Sequence, residues 1–209
     1  MSREAKILLG IVFVITAGMV ALFVIGGDPA PSSEGTDSSK LVRESSHKTG
    51  TGPIQVVEFG DYQCPACFQA YPVIQKIKQD YNGKITFSFR NFPLQQHKNA
   101  VVAARAAEAA ALQNKFWEMH DELYQHQEEW AQVSNPSTFF DRYAKEIGLD
   151  VAKFKQDGAS AAIKKIIDSD QSDGVAVDVQ ATPTFFVDGV KADAFDYNTL
   201  KTMIDSAKK

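Results

Sequence analysis

The segment from Pro53 to Phe92 constrains the fold more than any other part of the chain. It begins with PIQVVEFG, residues 53–60, a β-branched and aromatic run between Pro and Gly that is typical of a buried strand. Apolar residues then recur at helical spacing up to Tyr81, and KITFSFRNF, residues 84–92, alternates as a second strand. A strand, a helix and a strand within this length predict a βαβ unit, with parallel strands and a right-handed crossover.

The rest of the chain predicts a long helical region and then a short return to the sheet. Residues 97–178 are rich in Ala, Leu, Glu and Lys, which favour helices, so we expect a helical insertion of about this extent. Strand character returns in TPTFFVDGVKA, residues 182–192, where Asp188-Gly189 predicts a hairpin turn. A last amphipathic helix follows, with Asp196 as its expected N-cap. The fold class is α/β.

An apolar run from Ile7 to Gly26 precedes this domain. At about 1.5 Å per residue it spans about 30 Å of hydrocarbon, which predicts a single transmembrane helix. Arg3 and Lys6 come before the run, so the positive-inside rule places residues 1–6 in the cytoplasm and the domain outside. We therefore expect a signal-anchored protein of the cell membrane with an extracytoplasmic domain. A cleaved signal peptide stays open as the alternative, although its apolar core is usually shorter.

The segment between the apolar run and the domain is polar. Residues 27–52 are rich in Gly, Ser, Pro and charge, with too few apolar residues to offset the entropy of ordering, and they predict a flexible linker before a domain at 53–209. The formal net charge of −4 provides no basic field that would attract a nucleic acid. A nucleic-acid partner is therefore not expected.

Cys64 and Cys67 are the two cysteines of the chain, and they lie where the first strand meets its helix. Backbone N–H groups and the helix dipole at such an N-terminus stabilise an anion. We therefore expect Cys64 to have a lowered pKa and to be the nucleophile, with Cys67 as the resolving thiol. Pro65 fits the first helical turn, where its missing N–H group loses nothing.

The spacing of the cysteines argues against two other uses of such a pair, a zinc site and a structural disulfide. A zinc site needs two more ligands, and His120 and His126 have a tolerated mutual spacing but lie far along the chain from Cys67. A purely structural disulfide would close so small a loop that it would remove little entropy from the unfolded chain. Redox chemistry is the remaining interpretation.

Three motifs give the chain a resemblance to a known family. They are VVEFGDYQCPAC at residues 56–67, KFWEMHDELY at 115–124 and ATPTFFVDG at 181–189. Together they resemble the DsbA-like thiol-disulfide oxidoreductases, which are thioredoxin-like proteins with an inserted helical domain. The resemblance covers nearly the whole chain from about Leu41, and it implies a membrane-anchored bacterial enzyme with that fold.

The resemblance also implies roles for individual residues. Cys64 matches the exposed nucleophile and Cys67 its buried partner. Pro183 matches the family's cis-proline, which lies against the disulfide and lets the backbone of Thr182 pair with a substrate strand. Glu58 matches an acidic residue beneath the active site, where a buried carboxyl would have a raised pKa and relay the proton of Cys67. A strand-end glutamate that simply reaches solvent is the alternative for that position.

The implied activity is the introduction of disulfide bonds into exported, cysteine-containing proteins. The redox-active disulfide serves in place of a cofactor or metal, and a membrane redox partner, DsbB-like or VKOR-like, would re-oxidise it. Pro65-Ala66 lacks the histidine of the strongly oxidising CPHC members, so a reductase or isomerase stays open as an alternative. From another class, the alternative is a redox-inert peptide-binding module or chaperone that uses the groove beside Pro183.

Overall fold

The structure is a computed structural model, and it describes residues 38–207. The predicted cytoplasmic residues 1–6, the predicted transmembrane helix at 7–26 and the first part of the predicted linker, 27–37, lie outside the described residues. Within the described part of the chain, the helices are too short or too polar to cross a membrane.

A mixed sheet of five strands organises the described residues, in the order β1-β3-β2-β4-β5. The strands are β1 (His47–Thr49), β2 (Ile54–Gly60), β3 (Ile85–Asn91), β4 (Thr184–Val187) and β5 (Val190–Lys191). Strands β2 and β3 are parallel, as the βαβ prediction requires, and the other neighbouring pairs are antiparallel. The α/β prediction is confirmed.

Helices connect and cover these strands. They are α1 (Ser38–Leu41), α2 (Pro65–Asp80), α3 (Ala100–Ala111), α4 (Phe116–Gln125), α5 (Gln127–Trp130), α6 (Ser137–Glu146), α7 (Val151–Gly158), α8 (Ala161–Ala176) and α9 (Tyr197–Ser206). Helix α2 is the crossover between β2 and β3. Helices α3 to α8 fill the chain between β3 and β4, which is where the sequence predicts the helical insertion.

The linker prediction is wrong over residues 38–52. Helix α1 and strand β1 lie in this range, and β1 pairs with β3 in the register His47 to Phe89. The imidazole of His47 stacks on the ring of Phe116 at 3.5 Å between centroids and contacts the Glu108 carboxylate at 2.9 Å. These partners are distant along the chain, so a local count of apolar residues does not register them.

Two short-range predictions about the C-terminal part are confirmed. Asp188 and Gly189 both have positive φ, 44° and 85°, and they form the tight turn between β4 and β5. The Asp196 side chain caps α9, because its carboxylate accepts hydrogen bonds from the backbone N–H groups of Asn198 and Thr199.

The two faces of the sheet carry separate apolar clusters. Along β2, Val56 belongs to the cluster on the α2 side, whereas Val57 and Phe59 belong to the cluster on the opposite side. Side chains alternate between the faces of a strand. Glu58 therefore lies on the same face as Val56, toward the helix that carries the cysteines.

Candidate active site

Cys64 and Pro65 define the start of helix α2. Cys64 is the N-cap with an extended backbone, φ −70° and ψ 125°, and Pro65 is the first helical residue. The backbone N–H of Cys64 donates to the carbonyl of Asp61 at 3.0 Å, which closes the turn from β2 into the helix. Cys64 is 6% exposed and Cys67 is fully buried. Cys64, which the resemblance predicts to be the exposed nucleophile, therefore has only a small part of its surface accessible to solvent.

The surroundings of the Cys64 sulfur favour its thiolate. A hydrogen bond from the Cys67 thiol, helped by the backbone N–H groups of Cys67 and Ala66, outweighs burial and lowers the pKa of Cys64 to about 5. The carbonyl oxygen of Thr182 lies 3.3 Å from the sulfur and accepts from the protonated thiol, so this contact acts against the thiolate without outweighing the donors. At neutral pH Cys64 is therefore a thiolate in the reduced pair, as the sequence argument from the helix N-terminus predicts.

Cys67 has the opposite tendency. Burial raises its pKa well above the ordinary value for a thiol, and the charges of Glu58 and Cys64 act in the same direction. The backbone N–H of Asp61, at 3.5 Å from the Cys67 sulfur, is a donor that acts against this trend. The reduced pair is thus asymmetric, with a thiolate at Cys64 and a thiol at Cys67.

The Thr182-Pro183 peptide bond is cis, as the resemblance implies. It immediately precedes β4, which pairs with β2 and so lies beside the strand that leads to the cysteines. The Thr182 carbonyl faces the Cys64 sulfur. The structure therefore brings Pro183 and Thr182 to the cysteine pair, while their contact with a substrate strand stays a prediction.

Glu58 is buried rather than directed to solvent, with 3% of its surface exposed. The strand-end alternative is therefore wrong. Burial raises the pKa of Glu58 to about 8, an effect that the positive charge of Lys78 reduces and the Cys64 thiolate reinforces. At neutral pH the carboxyl is protonated, and when it is ionised its charge raises the pKa of Cys67. It has a proton to give where Cys67 would need one, and that relay role stays a prediction.

Sequence reasoning missed several residues around the site. The Asp61 carboxylate contacts His97 Nδ1 at 2.7 Å, a pairing between segments that share no local pattern. The Lys78 ammonium lies over the rings of Phe87 and Trp117, at 5.8 and 5.2 Å from their centroids. Asp61 was within reach of sequence reasoning, because Asp at the start of a turn accepts backbone N–H groups.

The histidines considered for zinc are engaged elsewhere. His120 is buried with its Nδ1 3.1 Å from the Tyr62 hydroxyl, and His126 contacts Glu129 at 2.8 Å. Between residues 38 and 207 no group of three or more His, Cys, Asp or Glu side chains is placed to hold a metal ion. The zinc alternative finds no support in this part of the chain.

Comparison with known proteins agrees with this geometry. A family model described as Thioredoxin matches residues 50–206. The chain belongs to the thioredoxin family. Within this family it is similar to the probable disulfide bond formation protein D of Bacillus cereus, at 32% identity with 100% of both chains covered. Among members of the thioredoxin family, the chain is thus similar to thiol-disulfide oxidoreductases of the DsbA and BdbD type.

Solved structures of thioredoxin-family proteins share the fold. Oxidised BdbD from Bacillus subtilis superposes with a TM-score of 0.69 at 28% identity, covering 77% of this chain and 91% of that one. Alpha-DsbA1 of Wolbachia pipientis gives a TM-score of 0.72 at 23% identity, covering 81% of this chain and 94% of that one, and this likeness shows the fold alone.

Other relatives in the comparison are much longer proteins. The Na(+)/H(+) antiporter NhaA 1 of Mycolicibacterium vanbaalenii is 40% identical over 145 residues, which are 66% of this chain and 22% of the antiporter. The chain therefore spans about a fifth of the length of these curated relatives.

Proposed function

We propose that this chain introduces disulfide bonds into exported proteins by dithiol-disulfide exchange at Cys64 and Cys67. The asymmetry of the pair carries the proposal, because the pKa of Cys64 is lowered to about 5 while that of Cys67 is raised. A dithiol whose nucleophile is already a thiolate has a stabilised reduced form. Its disulfide form is correspondingly a stronger oxidant, even though Pro65-Ala66 provides no histidine.

In the first step a substrate thiolate attacks Cys64 Sγ of the oxidised pair. A substrate–Cys64 bond forms, the Cys64–Cys67 bond breaks, and the electron pair stays on Cys67 Sγ. The protonated carboxyl of Glu58, with a pKa of about 8, supplies the proton that this buried sulfur takes up. Without a donor, the charge would have to persist where Cys67 has no contact with solvent.

In the second step another substrate thiolate attacks the substrate sulfur of the mixed disulfide. The substrate disulfide forms and Cys64 leaves as a thiolate. A thiol of low pKa leaves readily, so the lowered pKa of Cys64 accelerates this release. The substrate has lost two electrons and the cysteine pair has gained them.

The substrate strand lies against Thr182 and Pro183 in this proposal. A cavity of about 250 Å³ adjoins the cis-proline and is lined by Pro183, Phe185 and Phe195, among others. It has room for a substrate side chain on the Pro183 side of the site, and Lys191 and Asp193 also line it. Recognition of this kind, through backbone and one apolar side chain, suits an enzyme that acts on many unfolded chains.

The reduced pair must be re-oxidised after each cycle. We assign this step to a membrane redox partner, DsbB-like or VKOR-like, with residues 7–26 anchoring the domain outside the cell membrane near that partner. The apolar run at 7–26 and the positive residues before it support the anchor. A chain that starts at residue 38 keeps α1 and β1. If it restores disulfide formation in cells as well as the full chain does, the anchor has no such role.

The reduction potential of the pair tests the proposed direction. We expect equilibration of the full chain with glutathione buffers to give a value near about −120 mV, as in strong oxidants. A value near about −270 mV would make the chain a reductase instead. Cys64→Ser should abolish exchange, whereas a redox-inert peptide-binding module would keep its activity in that variant.

A further inference from the structure

The backbone of Asp61 contacts both cysteines. Its N–H group donates to Cys67 Sγ at 3.5 Å, and its carbonyl accepts the hydrogen bond from the Cys64 N–H at 3.0 Å. Asp61 is 1% exposed, in the turn that joins β2 to α2. A small rotation of the Asp61 backbone would therefore change the distance and angle between its N–H group and Cys67 Sγ.

The side chain of Asp61 determines the position of its backbone. One carboxylate oxygen accepts from the Gln63 N–H at 2.7 Å, and the other accepts from the Leu94 N–H at 2.9 Å and contacts His97 Nδ1 at 2.7 Å. A buried carboxylate is stable only with such partners, so the three donors specify its place. Two of them come from the loop after β3, which ties that loop to the active-site turn.

We infer that Asp61, held by His97, is a positioning residue for Cys67: the pair fixes the Asp61 N–H against Cys67 Sγ and so eases the formation of negative charge on that sulfur. This inference rests on the proposed thiol-disulfide exchange. It gives Asp61 and Glu58 different tasks, because Glu58 exchanges a proton with Cys67 whereas Asp61 provides a fixed dipole.

The charge on Cys67 is needed in a definable step. When the reduced pair meets glutathione disulfide, the Cys64 thiolate attacks one sulfur, the Cys64–glutathione bond forms and one glutathione thiolate leaves. In the mixed disulfide the Cys64 charge that raises the pKa of Glu58 is absent, so the Glu58 carboxylate accepts the proton of Cys67. The Cys67 thiolate then attacks Cys64 Sγ and expels the second glutathione as a thiolate. The pair loses two electrons, and two glutathione molecules are reduced. Only the second of these steps requires negative charge on Cys67.

The two steps can be measured separately on the full chain. In a Cys67→Ser background, only the attack by Cys64 takes place, and the release of one glutathione reports its rate. With both cysteines present, acid quenching and mass spectrometry follow the decay of the mixed disulfide. Each measurement is made with His97 intact and with His97→Ala.

We expect His97→Ala to slow the decay of the mixed disulfide about fivefold, the effect of weakening one hydrogen bond, and to leave the first step within about twofold. His97→Asn should restore much of the rate, because the Asn amide keeps an N–H donor close to the place of Nδ1. His126→Ala is the matched control at a histidine that contacts the exposed Glu129, and it should change neither step.

The outcomes separate this inference from the proposed function. If the unsubstituted chain does not exchange with glutathione disulfide, the proposed function fails. If it exchanges and His97→Ala leaves the second step unchanged, or slows both steps equally, only the positioning role is overturned.

A second measurement covers the case in which His97→Ala does not fold. This measurement keeps His97 intact. The NMR signal of the Asp61 amide proton should shift on Cys67→Ala, and it should shift by more than on Cys64→Ala. An Asp61 signal that is insensitive to Cys67 would overturn the inference as well.

Discussion

Two buried acidic regions lie on opposite faces of the same pair of strands, and they differ in the pKa values of their carboxyl groups. Glu58 on β2 faces the cysteine-bearing helix and pairs in register with Phe89. Arg90, the next residue of β3, lies over the ring of Phe59 on the other face and meets two aspartates of α8. Both regions are removed from water, so burial does not explain the difference.

The Arg90 region is an ion cluster in which every strong donor has a partner. The guanidinium donates to Asp170 and Asp173 at 2.7 Å each, and also to the carbonyls of Lys40 and Leu41 at 2.9 and 2.8 Å. Burial alone would raise the pKa of Asp173, but hydrogen bonds from its arginine partners outweigh burial and lower it to about 2. Asp173 therefore stays ionised, whereas burial raises the pKa of Asp170 even beside Arg90, and the cluster joins α1, β3 and α8.

The Glu58 region has no such partner set, and its carboxyl holds a proton at neutral pH because burial raises the pKa to about 8. Two arginines keep the buried Asp173 charged, whereas at Glu58 only the charge of Lys78 acts against burial and does not outweigh it. An ion cluster with fixed partners suits structure. A carboxyl with a pKa close to the ambient pH suits proton exchange with a neighbouring thiol.

The largest effect should come from breaking the ion cluster. Arg90→Met leaves the buried Asp170 without its arginine and leaves Asp173 with only the partly exposed Arg43 and Lys40, and we expect it to lower the free energy of unfolding by about 3–5 kcal/mol. Urea unfolding at pH 7 measures this loss. Arg105→Met, which removes a guanidinium that donates to the carbonyls of Gly158 and Ser160, is the control with no buried acid left behind. Equal losses in the two variants would contradict this account of the cluster.

An intermediate effect, dependent on pH, should come from Glu58→Gln. The folded protein binds a proton at Glu58 between the ordinary pKa of 4.5 and about 8, where the unfolded chain does not, so its stability falls as pH rises through that window. The glutamine variant lacks this loss. Relative to the unsubstituted chain, we expect it to gain roughly 2–4 kcal/mol between pH 4.5 and pH 8.5.

Urea unfolding of both chains, kept reduced, at the two pH values provides this comparison. A stability difference between the two chains that does not change with pH would show that Glu58 ionises in the folded protein as it does in water. The same variant should slow the step in which Cys67 takes up a proton, because the amide has none to give.

The smallest effects should come from removing the hydroxyl groups of two buried tyrosines, of which, within residues 38–207, one is hydrogen-bonded and the other is not. The Tyr62 hydroxyl lies 3.1 Å from His120 Nδ1, whereas the Tyr124 hydroxyl is buried with no hydrogen-bond partner among the described residues. We expect Tyr62→Phe to lower the unfolding free energy by about 1 kcal/mol and Tyr124→Phe to change it by less than about 0.5 kcal/mol. Thermal unfolding monitored by circular dichroism checks both, and a larger loss for Tyr124→Phe would refute the assignment.

Features encoded in a few neighbouring residues were predictable from the sequence. The parallel βαβ unit, the turn at Asp188-Gly189 and the cap at Asp196 each follow from local spacing and turn chemistry. The direction of the Cys64 pKa shift was predictable from its place at a helix N-terminus, although the hydrogen bond from the Cys67 thiol contributes most to it. The cis bond before Pro183 came from the resemblance alone, since X-Pro bonds are mostly trans.

Features that join distant segments were not predictable in this way. Strand β1 is too polar to be distinguished from a linker until its pairing with β3 is known. The contact between Asp61 and His97 and the cluster around Arg90 each join residues that lie tens of positions apart and have no shared period. Such contacts are set by the packing of the whole domain, which a local pattern does not contain.

The proposed substrates are unfolded chains, and the edges of the sheet bear on how the domain would behave among them. Strand β1 has three residues and β5 has two, and they close the two sides of the sheet. An edge this short offers few unpaired backbone groups on which a foreign strand could grow. Extended polypeptide near the domain thus meets short edge strands, which offer little template for edge-to-edge aggregation.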